Sequence, residues 1–430
     1  MTSSAARLGA DFGRVWFATA VTALGVRVTA VALPLLAVLT LHVSPGQVGT
    51  IATVEWLPFL LIALPLGVLF DRRRRRPLLV AAEVGRAAVL LALVVLAVLG
   101  ALGFELLVAL ALLLGCCSVL YEVGYQSYLP SVVPPERLEA ANSRLQSTES
   151  VALIAGPGLG GLLVQVVSAA GALAVQVVTS LVSAFALARN RGAETAPSTE
   201  RLRLMPAIAE GVRFLVRDRV LRWAVGFSAT YNLFEQWILV LFTIDAVRRL
   251  GLTAGQFGLI LSIGAVGALL GAAAAPAVSR RLGALQACLW CSAVDVVFLV
   301  LPLARPGWGA VTLIAVLGGV FAVNGFSGAL SSVILLTVRQ RRVPDALRGR
   351  VNATTRAVSY GSITVGAAAA GLAGQLAGVR TGLAVGCVGV LSSLAWTLGL
   401  GLPLLRRGVR IDVPHGGTGV PASPAPGGAG

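Results

Sequence analysis

Apolar runs of eighteen or more residues recur along this 430-residue chain, and no other feature constrains its fold as much. A helix of that length crosses the hydrocarbon core of a bilayer, where every backbone N–H and C=O must be satisfied within the segment. Charged residues make up only 12% of the chain. Ordinary soluble domains carry roughly 25%, so too little charged surface exists to cover a globule of this size. The chain reads as an all-α, multi-pass membrane protein. Breaks between the runs give twelve spans, at 14–41, 46–70, 77–100, 104–129, 142–167, 169–188, 221–247, 254–279, 283–303, 308–337, 351–377 and 380–405. The first run is too long for the core of a cleavable signal peptide and is expected to be the first span.

Arginine placement decides orientation. All 34 basic residues are arginine, and 27 fall at the termini or in loops on the termini's side. These are Arg7, Arg14, Arg72 to Arg76, Arg137, Arg144, the stretches Arg189–Arg222 and Arg339–Arg350, Arg280, Arg281, Arg406, Arg407 and Arg410. Only Arg248, Arg249, Arg305 and Arg380 fall opposite. An arginine excess marks the cytoplasmic face, so both termini are expected in the cytoplasm and the chain in the cell (inner) membrane. The net charge of +16 then belongs to loops beside anionic headgroups of membrane lipids, and nucleic acid is not an expected partner.

The expected organisation is a cytoplasmic N-terminus (1–13), six spans (14–188), a cytoplasmic linker (189–220), six more spans (221–405) and a disordered tail (406–430). In the linker Ile208, Val212, Leu215 and Val216 share one helical face, which suits a helix on the inner membrane surface. The two halves repeat. SPGQVGTI (44–51) returns as TAGQFGLI (253–260) at an offset of 209. Pro134, Asn142, Gly156, Gly161 and Leu162 return as Pro344, Asn352, Gly366, Gly371 and Leu372 at 210. Parallel repeats of this kind build transporters with a binding site at the repeat interface.

Enzyme chemistry finds no support. Cys116, Cys117, Cys288, Cys291 and Cys387 all lie in apolar runs, and the Cys288–Cys291 pair lacks the further ligands a metal or redox centre needs. His42 and His415 are the two histidines, so no hydrolytic triad assembles, and no metal or cofactor is expected.

Ten ionisable residues fall inside the spans: Arg27, Glu55, Glu83, Arg86, Glu122, Glu149, Glu235, Asp245, Asp295 and Arg356. Each costs on the order of 2.5–3.5 kcal/mol at a helix centre, so each implies a partner, a wet cavity or a function. Acids outnumber arginines seven to three. An unpaired acid in low dielectric takes up a proton, and one exposed alternately to each side can carry it across. Arg27, Glu122, Glu149, Glu235 and Asp295 are the candidates for cavity and proton-coupling roles. Arg27 and Glu235 hold nearly equivalent places in the repeat. Glu83 with Arg86, and Asp245 with Arg248, read as structural pairs.

The stretch GPGLGG (156–161) contains G-x-G-x-x-G, but a dinucleotide turn needs a strand before it and an acid about 20 residues on. Neither is present. Gly156 and Gly160, four apart inside an apolar run, instead suit close approach of a neighbouring span, with a bend at Pro157.

Gly67, Asp71, Arg72, Arg75 and Arg76 match the G-x-x-x-D-R-x-G-R-R loop of the major facilitator superfamily, with Arg74 at the pattern's second glycine. The chain resembles that superfamily over residues 12 to 405. RVTAVALPLLAVLT and YEVGYQSYLPSVVPPERLEAANSRLQSTES resemble its transmembrane secretion effector branch, which includes exporters similar to the enterobactin exporter. Val26 stands where that branch commonly carries an acid. Gly156, Pro157, Gly160 and Gly161 also match the fifth-span motif of drug–proton antiporters, with Ala152 at its first glycine. The resemblance implies the major facilitator fold, twelve helices in two pseudo-symmetric six-helix bundles. It implies a monomer rocking around a central cavity lined by the first and seventh spans. Asp71 and the neighbouring arginines would tie the halves together in the outward-open state. The implied activity is export of a small amphipathic substrate (drug, siderophore or secondary metabolite) by antiport with protons, as in multidrug resistance. An uptake symporter or facilitator of the same fold, and a non-transporting sensor or scaffold, are the alternatives.

Overall fold

The computed structural model describes residues 10–190 and 204–403, without the side chains of Asp71, Arg72 and a few others. The extreme N-terminus, the first part of the linker and the tail expected to be disordered lie outside the described residues.

Every described element is helical. The first half comprises α1 (Ala10–Leu39), α2 (Pro45–Leu61), α3 (Ala63–Arg72), α4 (Arg75–Val98), α5 (Phe104–Val132), α6 (Leu138–Val167) and α7 (Ala169–Ala188). After α8 (Leu204–Arg217) come α9 (Arg219–Arg248), α10 (Ala254–Leu282) and α11 (Ala284–Val294), which runs on as a 3-10 helix through Leu303. Then follow α12 (Ala310–Arg342), α13 (Asp345–Ala377), α14 (Val379–Val390) and the short α15 (Ser393–Trp396).

Ten of the described stretches are long and apolar enough to cross a membrane. Two expected spans fall short of that standard for physical reasons. Pro65 cannot donate to the Leu61 carbonyl, so the helix over 45–72 breaks at Ile62 into α2 and α3. α9 carries Tyr231, Asn232, Glu235 and Gln236 in its middle, which lowers its apolarity.

Local signals repeat with the halves. Ser44 and Gln47 form a capping box at the start of α2, and Thr253 and Gln256 form the same box at the start of α10. The tight joints α6–α7, α10–α11 and α13–α14 pass through Ser168, Gly283 and Gly378, with φ of 88°, 80° and 84°. Ser168 alone of the three has a side chain to strain there, and its hydroxyl accepts a hydrogen bond from Gly171 N.

Packing divides along the same line. α1 packs on α6 and α7, and α4 on α5 and α7; α9 packs on α13 and α14, and α10 on α12. Two crossings, α6 on α10 and α2 on α13, join the halves. At the arginine-poor end one continuous apolar cluster takes in residues of both, from Val31 and Ile51 to Leu241 and Ile260. Toward the arginine-rich end the core splits. Val15, Leu79 and Tyr128 belong to clusters of the first half, and Trp223, Phe227 and Ile334 to clusters of the second. The molecule is therefore sealed at one end and parted at the other.

α8 is helical as expected, but its buried face differs. Leu215 packs with Leu221, Val343 and Val351, whereas Val212 and Val216 are exposed and the side chain of Ile208 lies outside the described residues. Gly211 lies against Arg350 and Thr354 of α13, and Glu210 pairs with Arg350. Asp218 then caps α9 through Val220 N and Leu221 N and accepts from Arg342 Nε at 2.9 Å. This side of α8 docks on protein because α13 offers it both apolar surface and charge partners.

Candidate functional site

The sealed end is built on glycine. α6 runs without a break through Pro157, and GPGLGG presents two faces to two helices. Gly156 and Gly160 lie against the α1 backbone at Arg27 and Val28, so α1 approaches where side chains would stand. Gly161 meets Gly258 of α10, and Gly158 N–H donates to Ser262 Oγ at 2.8 Å. The second crossing repeats the first, since Gly371 of α13 meets Gly49 of α2. Two glutamines complete the symmetry by accepting from the first turn of the opposing helix. Gln165 Oε1 takes Gly255 N–H at 3.0 Å, and Gln375 Oε1 takes Gly46 N–H at 3.3 Å. Arg248 adds a bond from α9 to the Val43 carbonyl at 2.8 Å.

Two clefts of about 490 and 440 Å³ lie toward the parted end, the first between the halves and the second among α9, α10, α12 and α13 of the second half. Leu336, Arg339 and Arg356 line both, so these residues form a shared wall. Glu122 of α5 faces the first cleft, where its Oε1 accepts from Tyr360 Oη of α13 at 3.0 Å. Glu235 of α9 faces the second, beside Tyr231 and Asn232. The rim residues Gln340, Gly349 and Asn352 belong to the last turns of α12 and the first of α13, at the arginine-rich end.

The other candidates lie apart from these clefts. Arg27 lines neither cleft and stands 3.9 Å from Glu149, with both side chains about 40% exposed (40% and 42%). That geometry is a weak ion pair within the first half. Asp295 is 1% exposed. Its Oδ1 accepts from Ser327 Oγ at 2.6 Å and from Asn324 Nδ2 at 3.4 Å, and Asn324 also donates to Tyr231 Oη. Asp295 thus sits one layer behind the cavity wall.

Two structural pairs are present, one with a changed partner. Glu83 and Arg86, 0% and 2% exposed, pair at 3.1 Å, and Glu83 also accepts from Thr22 and Ser183. Asp245 pairs with Arg249 rather than with Arg248: two bonds of 2.5 and 2.6 Å follow from the i, i+4 spacing, while Arg248 turns toward the α1–α2 loop. In the loop motif, Arg75 Nη1 donates to Ser127 O of α5 and Arg76 to Ala188 O of α7, both within the first half. The Asp71 and Arg72 side chains lie outside the described residues. A Cβ on Gly67 would meet nothing within 4 Å.

Several residues at the clefts and crossings are not marked by the sequence pattern. Arg339 falls among the loop arginines by sequence, yet α12 extends to Arg342 and turns it inward. Tyr360, Trp56 and Phe59 read as ordinary span aromatics, but their rings cluster at the first cleft. Gly49, Gly258, Gln165 and Gln375 carry a usable signal in their offsets of 209 and 210.

Comparison with known proteins agrees with this architecture. The profile of a family described as transmembrane secretion effector matches residues 2–409. The multidrug efflux pump Tap of Mycobacterium tuberculosis (strain H37Rv) is 28% identical over 412 residues, covering 91% of this chain and 93% of that protein. The pump of the same name from Mycolicibacterium fortuitum is 27% identical over 409 residues, covering 92% and 93%. Among solved structures, a bacterial homologue of the iron transporter ferroportin in an inward-facing state superposes with a TM-score of 0.69 at 18% identity, over 91% of this chain and 98% of that one. The nucleoside transporter NupG gives 0.70 at 11%, over 91% and 99%. At such identities these structures speak to the fold alone.

Proposed function

The chain belongs to the transmembrane secretion effector family of major facilitator transporters, and from that premise we propose that it exports small amphipathic molecules by proton antiport. In this reading α2 with α3 is the second span and α9 the seventh, which completes twelve spans in two six-helix bundles. The arginine distribution puts both termini in the cytoplasm of an inner-membrane protein. The clefts then face the cytoplasm and the glycine crossings face outward, which is the loading state of an exporter.

The observation that carries the reading is the placement of one acid from each half, Glu122 and Glu235, on adjoining clefts with a shared wall. A carboxylate in such a cavity either holds a proton or presents a charge to what binds there. Glu122 has a further property, because its partner Tyr360 belongs to the other half. A charge-assisted hydrogen bond is about twice as strong as a neutral one, so a proton on Glu122 weakens this link between the halves. Protonation is thereby connected to their relative position. Arg27, Glu149 and Asp295, away from the two clefts, serve as supporting groups. The Asp71 loop is assigned the tie between halves in the alternate state. Relatives named as multidrug efflux pumps, and the fifth-span glycines, favour export over uptake.

Proteoliposomes with an imposed proton gradient provide the test, with hydrophobic drugs and siderophores as cargo. Gradient-dependent movement opposite to the proton is expected, and Glu122→Gln and Glu235→Gln should each uncouple it. Transport indifferent to the gradient would rule out antiport, and cargo moving with the proton would mark an uptake symporter.

A further inference from the structure

We infer that the cavity is built for an aromatic amphiphile bearing a compact oxyanion, such as a carboxylate, which the guanidinium groups of Arg339 and Arg356 receive. The inference rests on the transporter reading and adds a substrate class to it. Arg339 and Arg356 face both clefts from adjacent helices of the second half. Their guanidinium groups thus share the same wall with no described acid bound to either. Neither makes an ion pair or a side-chain hydrogen bond among the described residues. The Arg339 Nε–H is buried with no acceptor. A buried charged donor left without a partner bears the whole cost of its lost hydration, so the site is electrostatically incomplete as it stands. Two planar forks carrying parallel N–H groups are matched by the two oxygens of a carboxylate.

Glu122 lines the first cleft with both arginines but makes no ion pair with either among the described residues, and its described bond goes to Tyr360. The same tyrosine belongs to an aromatic cluster. Its ring stacks on Trp56, with centroids 6.0 Å apart and 22° between planes, and tilts against Phe59 at 5.0 Å. Phe59 and Tyr360 line the cleft that also contains both arginines. A ring system can therefore rest on these side chains while its oxyanion reaches the shared wall. Arginines that served only to orient the chain would sit in the loops like Arg73 and Arg74. These two project instead into the space between the halves.

Two xanthene dyes of similar size and opposite charge separate the possibilities. Fluorescein carries a free carboxylate, and rhodamine 6G is a cation with its carboxyl esterified. Fluorescence anisotropy on the purified full chain at neutral pH should give fluorescein the lower Kd by about tenfold or more, the scale of one charge-assisted bond. Arg339→Gln and Arg356→Gln should each remove most of that preference by weakening fluorescein, while rhodamine 6G, relieved of a like charge, binds no more weakly than to the parent. Arg356→Lys, which keeps the charge without the fork, should fall between. Equal affinity for the two dyes, preference for rhodamine 6G, or fluorescein binding unaffected by both Gln variants would overturn the inference. Transport separates it from the broader reading. Rhodamine 6G exported while fluorescein does not bind leaves the exporter standing and removes the anion site. Fluorescein bound through both arginines but moved by no gradient does the reverse.

Discussion

Gly161→Ala tests whether the glycine crossing is one side of a conformational equilibrium. A Cβ at position 161 would stand 2.9 Å from Gly258 Cα and 3.1 Å from the Ala254 carbonyl carbon. Carbon atoms in contact rest about 3.5–4.0 Å apart, so α6 and α10 must separate by roughly 0.5–1 Å at this point. Overfilling a packed site by one methyl group costs about 1–3 kcal/mol. Alanine also gains about 1 kcal/mol of helix propensity over glycine, but α6 stays helical whether the end is open or shut, so that gain cancels. The clash is felt only in the sealed state. At about 1.4 kcal/mol per tenfold, the population open at this end should rise by roughly 5- to 150-fold. Spin labels at Leu99 and Arg305, both exposed and in opposite halves, report the opening by pulsed dipolar spectroscopy in a variant freed of its five cysteines. Gly258→Ala meets the same crossing from the other side and should act alike. Gly319→Ala, where a Cβ meets nothing within 4 Å, is the control. Folded Gly161→Ala and Gly258→Ala proteins with the parent's distance distribution would refute the reasoning.

Side-chain geometry elsewhere gives three more expected outcomes. Ser168→Gly relieves a conformation that costs a side-chain-bearing residue about 1–3 kcal/mol and gives up a cap that glycine replaces at a loss of a few tenths, so the thermal midpoint in detergent should rise; a fall would mean that the cap outweighs the strain. Arg86→Met leaves the Glu83 charge buried and should cost about 3–5 kcal/mol, seen as loss of monodisperse protein on size-exclusion chromatography. Adding Glu83→Gln should restore much of the yield, and a double variant no better than the single would argue against pairing. The neighbouring arginines of α9 should separate by phenotype: Arg249→Gln breaks the bond to buried Asp245 and should lower the thermal midpoint, whereas Arg248→Gln frees the Val43 carbonyl and should lengthen the Leu99–Arg305 distance.

The elements were legible where a single physical requirement dominates. Apolar length marks the helices and arginine asymmetry marks the ends, while the capping boxes at Ser44 and Thr253 were legible only as part of a repeated stretch. α9 reads as a span over 221–247 although the polar residues that line the second cleft dilute its apolarity. The site was less legible. Among the intramembrane acids, Glu122 and Glu235 face the clefts, Glu83 and Asp245 are held by arginines, and Asp295 by Asn324 and Ser327. Spacing alone does not separate these roles, since residues facing lipid and residues facing a cavity follow the same 3.6-residue period. Asp245 illustrates the limit. Arg248 and Arg249 both lie within helical reach of it, and only the direction in which each side chain leaves α9 selected the partner. The glycines of GPGLGG were legible as packing residues, but that they serve two different helices, α1 and α10, required the fold.

The composition of the seal has a consequence for kinetics. Where the halves meet at the arginine-poor end, the described bonds use backbone groups, glutamine amides, the Ser262 and Thr253 hydroxyls and one arginine, and none of these gains or loses a proton in the physiological range. These bonds should therefore hold equally at pH 6 and at pH 8. In the antiport proposal, acid dependence of turnover would then enter through the population of protonated cavity, with these contacts opening at an unchanged rate. On that proposal the chain would keep its clock and its sensor on different residues.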